Sequence, residues 1–203
     1  MSLSLLDYRR RAAALYAAYR EDIDHERAVR EWRASRDRLL TGHAEGALRG
    51  RGPVPYAPYD PGARHVLTVE IDVEPRRLVL STEQDGAVTL RRIGVLHVPE
   101  VGSLDVWWLE QYAGGIFVPL KDATSGTTTY GGGRYLLDTA KGADLGSDVD
   151  PATGRGDLVV DLNLAYHPSC AYDARWSCPL APPGNTVATG VTSGERLPVG
   201  GWT

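Results

Sequence analysis

Two helical patterns occupy the first part of the chain. Residues 5–40 contain no glycine or proline, and apolar side chains recur there at the three- and four-residue spacing of one helical face. Asp22 or Asp24 can accept hydrogen bonds from the first turn of a second helix, and Gly42 can end that helix. We predict an N-terminal helical arm over residues 1–42, as two helices or one bent helix. Its apolar positions are Tyr8, Ala12, Leu15, Tyr19, Val29, Trp32 and Leu39.

The remaining faces of this arm carry arginine and acidic residues, so its apolar stripe requires a covering surface. Docking on the β region of the same chain is the favoured prediction, because two parts of one chain meet at a high effective concentration. The alternative is a homodimer in which the arm contacts a second copy.

After the arm, the pattern changes to short alternating segments. Residues 65–73 alternate strictly between apolar and polar side chains, which is typical of a half-buried antiparallel strand. The pairs Asp85-Gly86 and Gly114-Gly115 lie between alternating segments and indicate two hairpins. We predict a mainly β fold, an antiparallel small barrel or sandwich. The predicted strands are 65–73, 77–81, 88–95, 103–111, 116–120, 127–139 and 156–166.

Composition supports one folded β region after the arm. The chain has 203 residues with 42% hydrophobic and 24% charged side chains, which excludes a disordered or collagen-like protein. Its 23 glycines and 13 prolines favour short strands and turns. We predict a single antiparallel β domain over residues 43–203, with a Pro-rich C-terminal segment from Pro168 onward that covers the sheet.

Charge and hydropathy limit the partners and the location. Residues 1–50 carry ten arginines and eight acidic residues, and the rest of the chain is acidic, giving a net charge of -4. An acidic body repels phosphate backbones, so we expect no nucleic-acid partner. No apolar run reaches the roughly 20 residues of a membrane span, and residues 1–11 lack the pattern of an export signal. The expectation is a cytoplasmic protein without a membrane partner.

A candidate ligand site involves the last two predicted strands. Strand alternation places Tyr130 and Arg134 on one face of the first and Asp161 and Asn163 on one face of the second. If both faces look inward, the four side chains converge in a barrel mouth that suits an anionic or carbonyl-bearing small molecule. The alternative is an internal ion pair between Arg134 and Asp161, with Tyr130 at the edge of the core.

Three function classes follow from these residues. The first is a small-molecule binding module. The second is an enzyme acting in the same cleft, with Asp161 as general acid or base and Arg134 holding an anionic substrate. The third is an assembly protein that works through its helical arm. No catalytic motif or cofactor motif is present, so we assign no catalytic residue and expect no cofactor.

The glycine-rich run 124–134 has a weak resemblance to a phosphate-binding loop. It lacks the Gly-Lys-Ser/Thr ending and a following helical pattern. Three consecutive glycines before Arg134 also suit a tight bend, which is the favoured interpretation.

Cys170 and Cys178 are the only cysteines, too few for a disulfide framework. His167 lies close enough in sequence to suggest a thiol–imidazole pair, but a disulfide or two buried thiols are favoured over catalysis. The seven-residue spacing is a poor zinc signature, so we expect no metal. We predict that the two cysteines approach each other and clamp the Pro-rich segment in a structural role.

Several segments, in order, resemble a known family. They are Asp122–Gly126, Thr129–Leu136, Asp161–Tyr172 and Cys178–Asn185, with further similarity at Arg30–Arg38 and Pro58–Arg64. This pattern is similar to the C-terminal core of the family of proteins of unknown function numbered 1684. The similarity extends from His25 to Arg196, so residues 1–24 look like an extension. The short 42–53 segment makes the chain resemble a reduced form, because many members carry a further β-rich segment there.

The resemblance implies kinship and no particular reaction. Members usually have Asn where this chain has His167, which argues against a mechanism that needs this imidazole. The family pattern is retained at seven positions that we keep as candidates. Four are for ligand binding and three for structure: Tyr130, Arg134, Asp161 and Asn163, then Cys170, Cys178 and Asn185.

Overall fold

The computed structural model describes residues 3–82, 86–112 and 114–199. Its N-terminal arm consists of two helices, α1 (Leu3–Glu21) and α2 (His25–Gly42). Asp24 caps α2, because its Oδ1 accepts the backbone N–H of Arg27 at 3.1 Å. The predicted arm is therefore confirmed in its two-helix form.

All strand pairs among the described residues are antiparallel. The strands are β1 (Arg64–Thr68), β2 (Glu70–Ile71), β3 (Arg77–Thr82), β4 (Gly86–Val98), β5 (Gly102–Leu109), β6 (Ile116–Leu120), β7 (Arg134–Asp138), β8 (Ser147–Val149) and β9 (Gly156–Asp161). Asp85 of the first predicted hairpin turn lies outside the described residues.

The strands form two sheets. One has three strands in the order β1-β9-β8. The other has six, in the order β2-β4-β5-β6-β7, with β3 on the same edge of the long β4 as β2. An isolated bridge between Tyr135 of β7 and Tyr166 links the large sheet to the chain after β9. The mainly β prediction is confirmed, and the described strands form a sandwich or open barrel without closing.

The strand predicted at 65–73 is divided between the two sheets. β1 pairs with β9 in the small sheet, whereas β2 pairs with β4 in the large one. The crossing brings the backbone close to Gly94, where a Cβ atom would lie 2.4 Å from the carbonyl oxygen of Glu70. Only glycine fits this approach, and the β4–β5 register shifts at the same place.

Two other predicted strands are shorter than expected. β7 begins at Arg134, because the preceding glycine run forms a turn that ends at Gly133 with φ of 89°. This turn is the predicted bend. A phosphate-binding loop would be followed by a helix, whereas this turn is followed by strand β7. β9 ends at Asp161, whose side chain accepts the N–H of Asn163 and begins the 3-10 turn Leu162–Leu164. Strand alternation therefore does not relate Asp161 to Asn163.

The helical arm packs on the sheets of its own chain. Tyr16 is 5% exposed and Trp32 is 2% exposed, and their rings meet edge to face with centroids 5.6 Å apart. Both belong to the main hydrophobic core, together with Leu136 of β7 and Val160 of β9. The apolar stripe of the arm therefore packs on the β region of the same chain, as the favoured prediction stated.

Candidate functional site

Arg134 is buried and makes its contacts within the protein. Its Nη2 donates to Oδ2 of Asp122 at 2.7 Å and to the carbonyl oxygen of Val191 at 2.7 Å. Its Nη1 donates to the carbonyl oxygen of Ser193 at 2.5 Å. The alternative pairing with Asp161 is wrong, because Asp122 from the loop after β6 provides the carboxylate.

Asp161 and Asn163 hold other parts of the chain. Oδ2 of Asp161 accepts the hydroxyl of Tyr19 from α1 at 2.7 Å. Asn163 accepts the N–H of Asp60 at 2.9 Å and donates to its carbonyl oxygen at 2.8 Å. Both residues are almost fully buried, so they fasten α1 and the segment before β1.

Tyr130 has different hydrogen-bond partners from these three residues. Its backbone N–H donates to Nε2 of His167 at 3.2 Å, and its hydroxyl oxygen is 3.9 Å from Sγ of Cys170. Among the described residues, one hydrogen bond joins two of the four candidates: the backbone N–H of Asn163 donates to Oδ1 of Asp161. Arg134, Asp161 and Asn163 are at most 1% exposed, so these three do not line an open mouth.

A buried polar network joins α2 to the C-terminal segment. Glu195 is fully buried, and its Oε1 accepts Nε–H of Arg36 at 2.5 Å. Its Oε2 accepts the backbone N–H of His167 at 2.6 Å and the hydroxyl of Tyr172. Arg36 holds the pKa of this carboxyl below its usual value despite the burial. The network fixes the chain around His167.

His167 is a neutral imidazole within this network. Its Nε2 accepts the N–H of Tyr130, so Nδ1 carries the proton, although Nδ1 has no hydrogen-bond partner among the described residues. Burial lowers the pKa of His167 to about 4, against the opposing effect of Glu195, which lies 3.8 Å from Nδ1. The ring has no free acceptor nitrogen to serve as a base.

Asn185 fastens the Pro-rich segment to the large sheet. Its Oδ1 accepts Nε1–H of Trp107 at 2.7 Å. Its Nδ2 donates to the carbonyl oxygens of Asp105 at 2.8 Å and Pro119 at 2.9 Å. All of its side-chain hydrogen-bonding groups are thus used to join β5 and β6 to the tail.

A small pocket lies between α1, β7 and the C-terminal segment. Its volume is about 100 Å³, well below the range of roughly 300–1,000 Å³ that drug-sized ligands occupy. We call it the α1–β7 pocket. The residues that matter for its chemistry are Tyr8, Arg9, Tyr135, Asp138, Trp176 and Cys178.

Asp138 provides a buried carboxyl group in this pocket. It is 3% exposed, and its Oδ1 has no hydrogen-bond partner among the described residues. Burial raises the pKa of Asp138, while Lys141, with Nζ 3.9 Å from Oδ2, and Arg9 act in the opposite direction. Nε1–H of Trp176 is also buried without a partner there. Asp138 and Trp176, each with a buried polar atom that lacks a partner, are thus both among the residues that line the pocket.

Cys178 lines the same pocket, and Cys170 lies beside it. The two thiols are free, and the sulfur of Cys170 lies 3.9 Å from the hydroxyl oxygen of Tyr130. The approach of the two cysteines to each other stays a prediction. The described residues contain no group of three or more His, Cys, Asp or Glu side chains that could hold a metal ion.

Few sequence patterns could have identified the pocket residues as part of a site. Asp138 ends a strand, Arg134–Asp138, whose five residues are all buried. A carboxylate at the end of a buried strand was the one available indication. Glu195 had none, and Asp122 had only its place at the start of a segment that resembles the family.

The sequence profile of the protein of unknown function family DUF1684 matches residues 52–196. The chain belongs to this family. The matched part contains both sheets, the α1–β7 pocket except for its α1 wall, and both cysteines. The helical arm precedes the residues that this profile matches.

A solved structure is similar to this chain. The solution NMR structure of an uncharacterised protein of Haloarcula marismortui is 30% identical in sequence, with a TM-score of 0.56. The similarity covers 85% of this chain and 94% of that one. None of the curated proteins matches the chain. Within the described residues, neither helix is long and apolar enough to cross a lipid bilayer.

Proposed function

We propose that this member of DUF1684 binds a small carbonyl-bearing molecule in the α1–β7 pocket. The observation that carries the proposal is the buried carboxyl group of Asp138, whose Oδ1 has no partner among the described residues. An unsatisfied buried acceptor destabilises a protein by about 1–3 kcal/mol. A ligand N–H or O–H at Oδ1 would remove this destabilisation.

The other pocket groups define the ligand class. The unpartnered Nε1–H of Trp176 can donate to a carbonyl oxygen, and the rings of Tyr8 and Tyr135 favour an apolar remainder. The small volume limits the ligand to a few non-hydrogen atoms. Arg134, Asp161 and Asn163 have protein partners, so the proposal moves the ligand from the barrel mouth expected from sequence to Asp138.

A panel of minimal probes tests this proposal. Acetamide offers both a donor and a carbonyl, acetate lacks the donor, and methylammonium lacks the carbonyl. We expect acetamide alone to raise the melting temperature and to shift the indole N–H resonance of Trp176. A probe at ten times its Kd stabilises the folded state by about 1.4 kcal/mol.

Two variants make the result specific to the pocket. Asp138→Leu removes the acceptor and should abolish the response to acetamide. Asp148→Asn changes an exposed carboxylate on β8 and should leave the response unchanged. Equal responses to all three probes, or an undiminished response in Asp138→Leu, would exclude this site.

The raised pKa of Asp138 favours one second candidate, an enzyme that uses this residue as its general acid or base. This moves the acid expected at Asp161 to the α1–β7 pocket. Such an enzyme would exchange the α-hydrogens of a small carbonyl compound with solvent. Hydroxyacetone in D₂O, followed by NMR, tests this: exchange should be faster with the protein than without it and should be lost in Asp138→Asn.

A further inference from the structure

A tight turn carries Lys141 back to the buried carboxyl group of Asp138. The 3-10 helix Thr139–Lys141 follows Asp138 directly, and residues three apart lie on the same side of such a helix. Nζ of Lys141 is 3.9 Å from Oδ2 of Asp138. A primary amine and a carboxyl group therefore lie side by side.

The turn is fixed at both ends. Asp138 and Ala143 exchange two backbone hydrogen bonds, of 3.0 and 2.9 Å, and Gly142 ends the 3-10 helix with a φ of 88°. A Cβ atom on Gly142 would lie 3.0 Å from Cα of Ala13, so the turn packs closely against α1. The backbone that positions Lys141 is thus preorganised relative to Asp138.

Asp138 and Lys141 both line the α1–β7 pocket, but they differ in exposure. Asp138 is buried, and its Oδ1 has no hydrogen-bond partner among the described residues. The side chain of Lys141 is 53% exposed, so solvent molecules reach its amine. A small molecule that enters the pocket therefore meets an accessible amine and a buried acceptor together.

We propose that Lys141 forms an imine with a small α-hydroxy ketone in the α1–β7 pocket, and that Asp138 moves the protons of this reaction. The inference rests on the proposed function, because it concerns the same pocket and the same class of carbonyl-bearing ligand. The carbonyl carbon of the ligand meets the amine, and its hydroxyl donates to Oδ1 of Asp138. Lysine is the side chain with which enzymes form such imines.

The first step forms the carbon–nitrogen bond. The Asp138 carboxylate takes a proton from the Lys141 ammonium group, which leaves a neutral amine with a free electron pair. This pair bonds to the carbonyl carbon, and one electron pair of the C=O double bond moves to the oxygen. Asp138 gives its proton to that oxygen, so the product is a carbinolamine that is protonated on nitrogen. Burial raises the pKa of Asp138, which favours the protonated carboxyl group that this transfer requires.

The second step expels water. The Asp138 carboxylate takes a proton from the carbinolamine nitrogen and gives it to the hydroxyl group, which leaves as water with the electrons of the carbon–oxygen bond. The electron pair of the nitrogen then forms the C=N double bond. The protonated imine keeps the positive charge of Lys141, Asp138 is again a carboxylate, and one water is released for each ligand bound.

Hydroxyacetone with sodium cyanoborohydride tests the proposal, because hydride converts an imine to a stable secondary amine. Intact-mass spectrometry of the full chain counts the adducts, and peptide mapping locates them. The chain has two lysines, and Lys121 is an exposed residue outside the pocket. In the wild type, adduct should form at least tenfold faster on Lys141 than on Lys121. Equal labelling of the two lysines would overturn the proposal.

Acetone is the control ligand, because it has the carbonyl and lacks the hydroxyl. It should label Lys141 of the wild type at least tenfold more slowly than hydroxyacetone does. Equal rates for the two ketones would overturn the assignment of an α-hydroxy ketone. Both measurements use the wild type, so they do not depend on the folding of a variant.

Three variants assign the roles. Lys141→Arg keeps the positive charge and should lose the fast adduct, whereas Lys121→Arg should retain it. Asp138→Asn cannot transfer the protons and should slow labelling of Lys141 at least tenfold. An undiminished rate in Asp138→Asn would mean that Lys141 reacts only as an accessible amine, which would overturn the proposal.

Acetamide separates this proposal from the proposed function, because an amide carbonyl does not form imines with amines. A rise in melting temperature with acetamide, together with the adduct on Lys141, is the expected result. A rise with acetamide but no adduct on Lys141 would overturn the imine and leave the binding site in place. Absence of both responses would overturn the binding site as well.

Discussion

Arg36 and Glu195 form an ion pair that joins helix α2 to the C-terminal segment inside the protein, with Nε 2.5 Å from Oε1. The carboxylate is fully buried and the guanidinium side chain is 12% exposed. Arg36 also lies over the ring of Tyr166, with Cζ 4.6 Å from the ring centroid. The pair thus holds the chain beside the α1–β7 pocket.

Glu195→Gln should therefore destabilise the protein strongly. The substitution keeps the side-chain shape but leaves Arg36 without its counter-charge, and breaking a buried pair in this way costs about 3–5 kcal/mol. The free energy of unfolding in urea measures the effect. Arg77→Gln is the matched control, because Arg77 pairs with Glu110 on the surface, where such a pair contributes about 0–1 kcal/mol. Equal losses in the two variants would contradict a structural role for the buried pair.

The neutral, buried state of His167 predicts a pH dependence. Its pKa is lowered to about 4 in the folded protein and returns to about 6.5 on unfolding. The unfolded state therefore binds more protons between these values, and stability falls as the pH decreases. Between pH 7 and pH 5 the wild type should lose about 2 kcal/mol through this residue.

His167→Asn isolates this effect, because all other titrating groups remain. When the pH is lowered from 7 to 5, the variant should gain about 2 kcal/mol in unfolding free energy relative to the wild type. A constant difference across this range would mean that the pKa of His167 is the same in the folded and unfolded states.

The hydrogen bonds of Asn185 should contribute strongly to the stability of the protein, because they join the Pro-rich segment to the large sheet. Asn185→Ala removes three hydrogen bonds and leaves Nε1–H of Trp107 and two carbonyl oxygens without their partner. We expect a loss of about 3 kcal/mol, measured by urea unfolding. Thr186→Ala, which removes one long contact of 3.4 Å to Pro182, should change stability by less than about 1 kcal/mol. A loss below that of the control would show that the tail is held by other contacts.

Local patterns predicted much of the fold, because they depend on near neighbours in sequence. The helical stripes of α1 and α2 and the hairpin of β3 and β4 occur where periodicity and turn residues indicated them. Alternation also identified residues 65–73 as extended. It could not reveal that this segment passes between two sheets, because the break depends on which distant strands pair with each half.

The candidate site was less accessible to sequence reasoning. Sequence analysis placed Arg134 either at a barrel mouth or in an internal ion pair, and the partner that it has depends on how the loop with Asp122 packs against β7. Asp161 and Asn163 were related by strand alternation, and the 3-10 turn after β9 invalidates that relation. The α1–β7 pocket is formed by three segments far apart in sequence, so no local motif marks it.

The buried carboxyl group of Asp138 leads to the last prediction, an increase in stability on its removal. Burial raises the pKa of Asp138, which means that the folded protein is less stable with the carboxylate than with the neutral acid. Asp138→Asn keeps the shape and one oxygen acceptor but carries no charge. We expect the variant to be more stable than the wild type at pH 7 by about 1 kcal/mol, the usual size of a single stabilising change.

The pH dependence distinguishes this explanation from a simple gain in packing. The pKa of Asp138 in the folded protein lies above the unfolded value of 3.8. The contribution of Asp138 to the unfolding free energy of the wild type is therefore fully present below pH 3.8 and is lost as the pH rises through the folded pKa. The advantage of Asp138→Asn should therefore be absent near pH 3 and grow toward neutral pH, as urea unfolding at each pH would measure. A residue that destabilises the fold in this way while lining a pocket is one that natural proteins retain for function. If Asp138→Asn is instead less stable than the wild type at pH 7, the carboxylate has a structural role and the α1–β7 pocket loses its main support as a binding site.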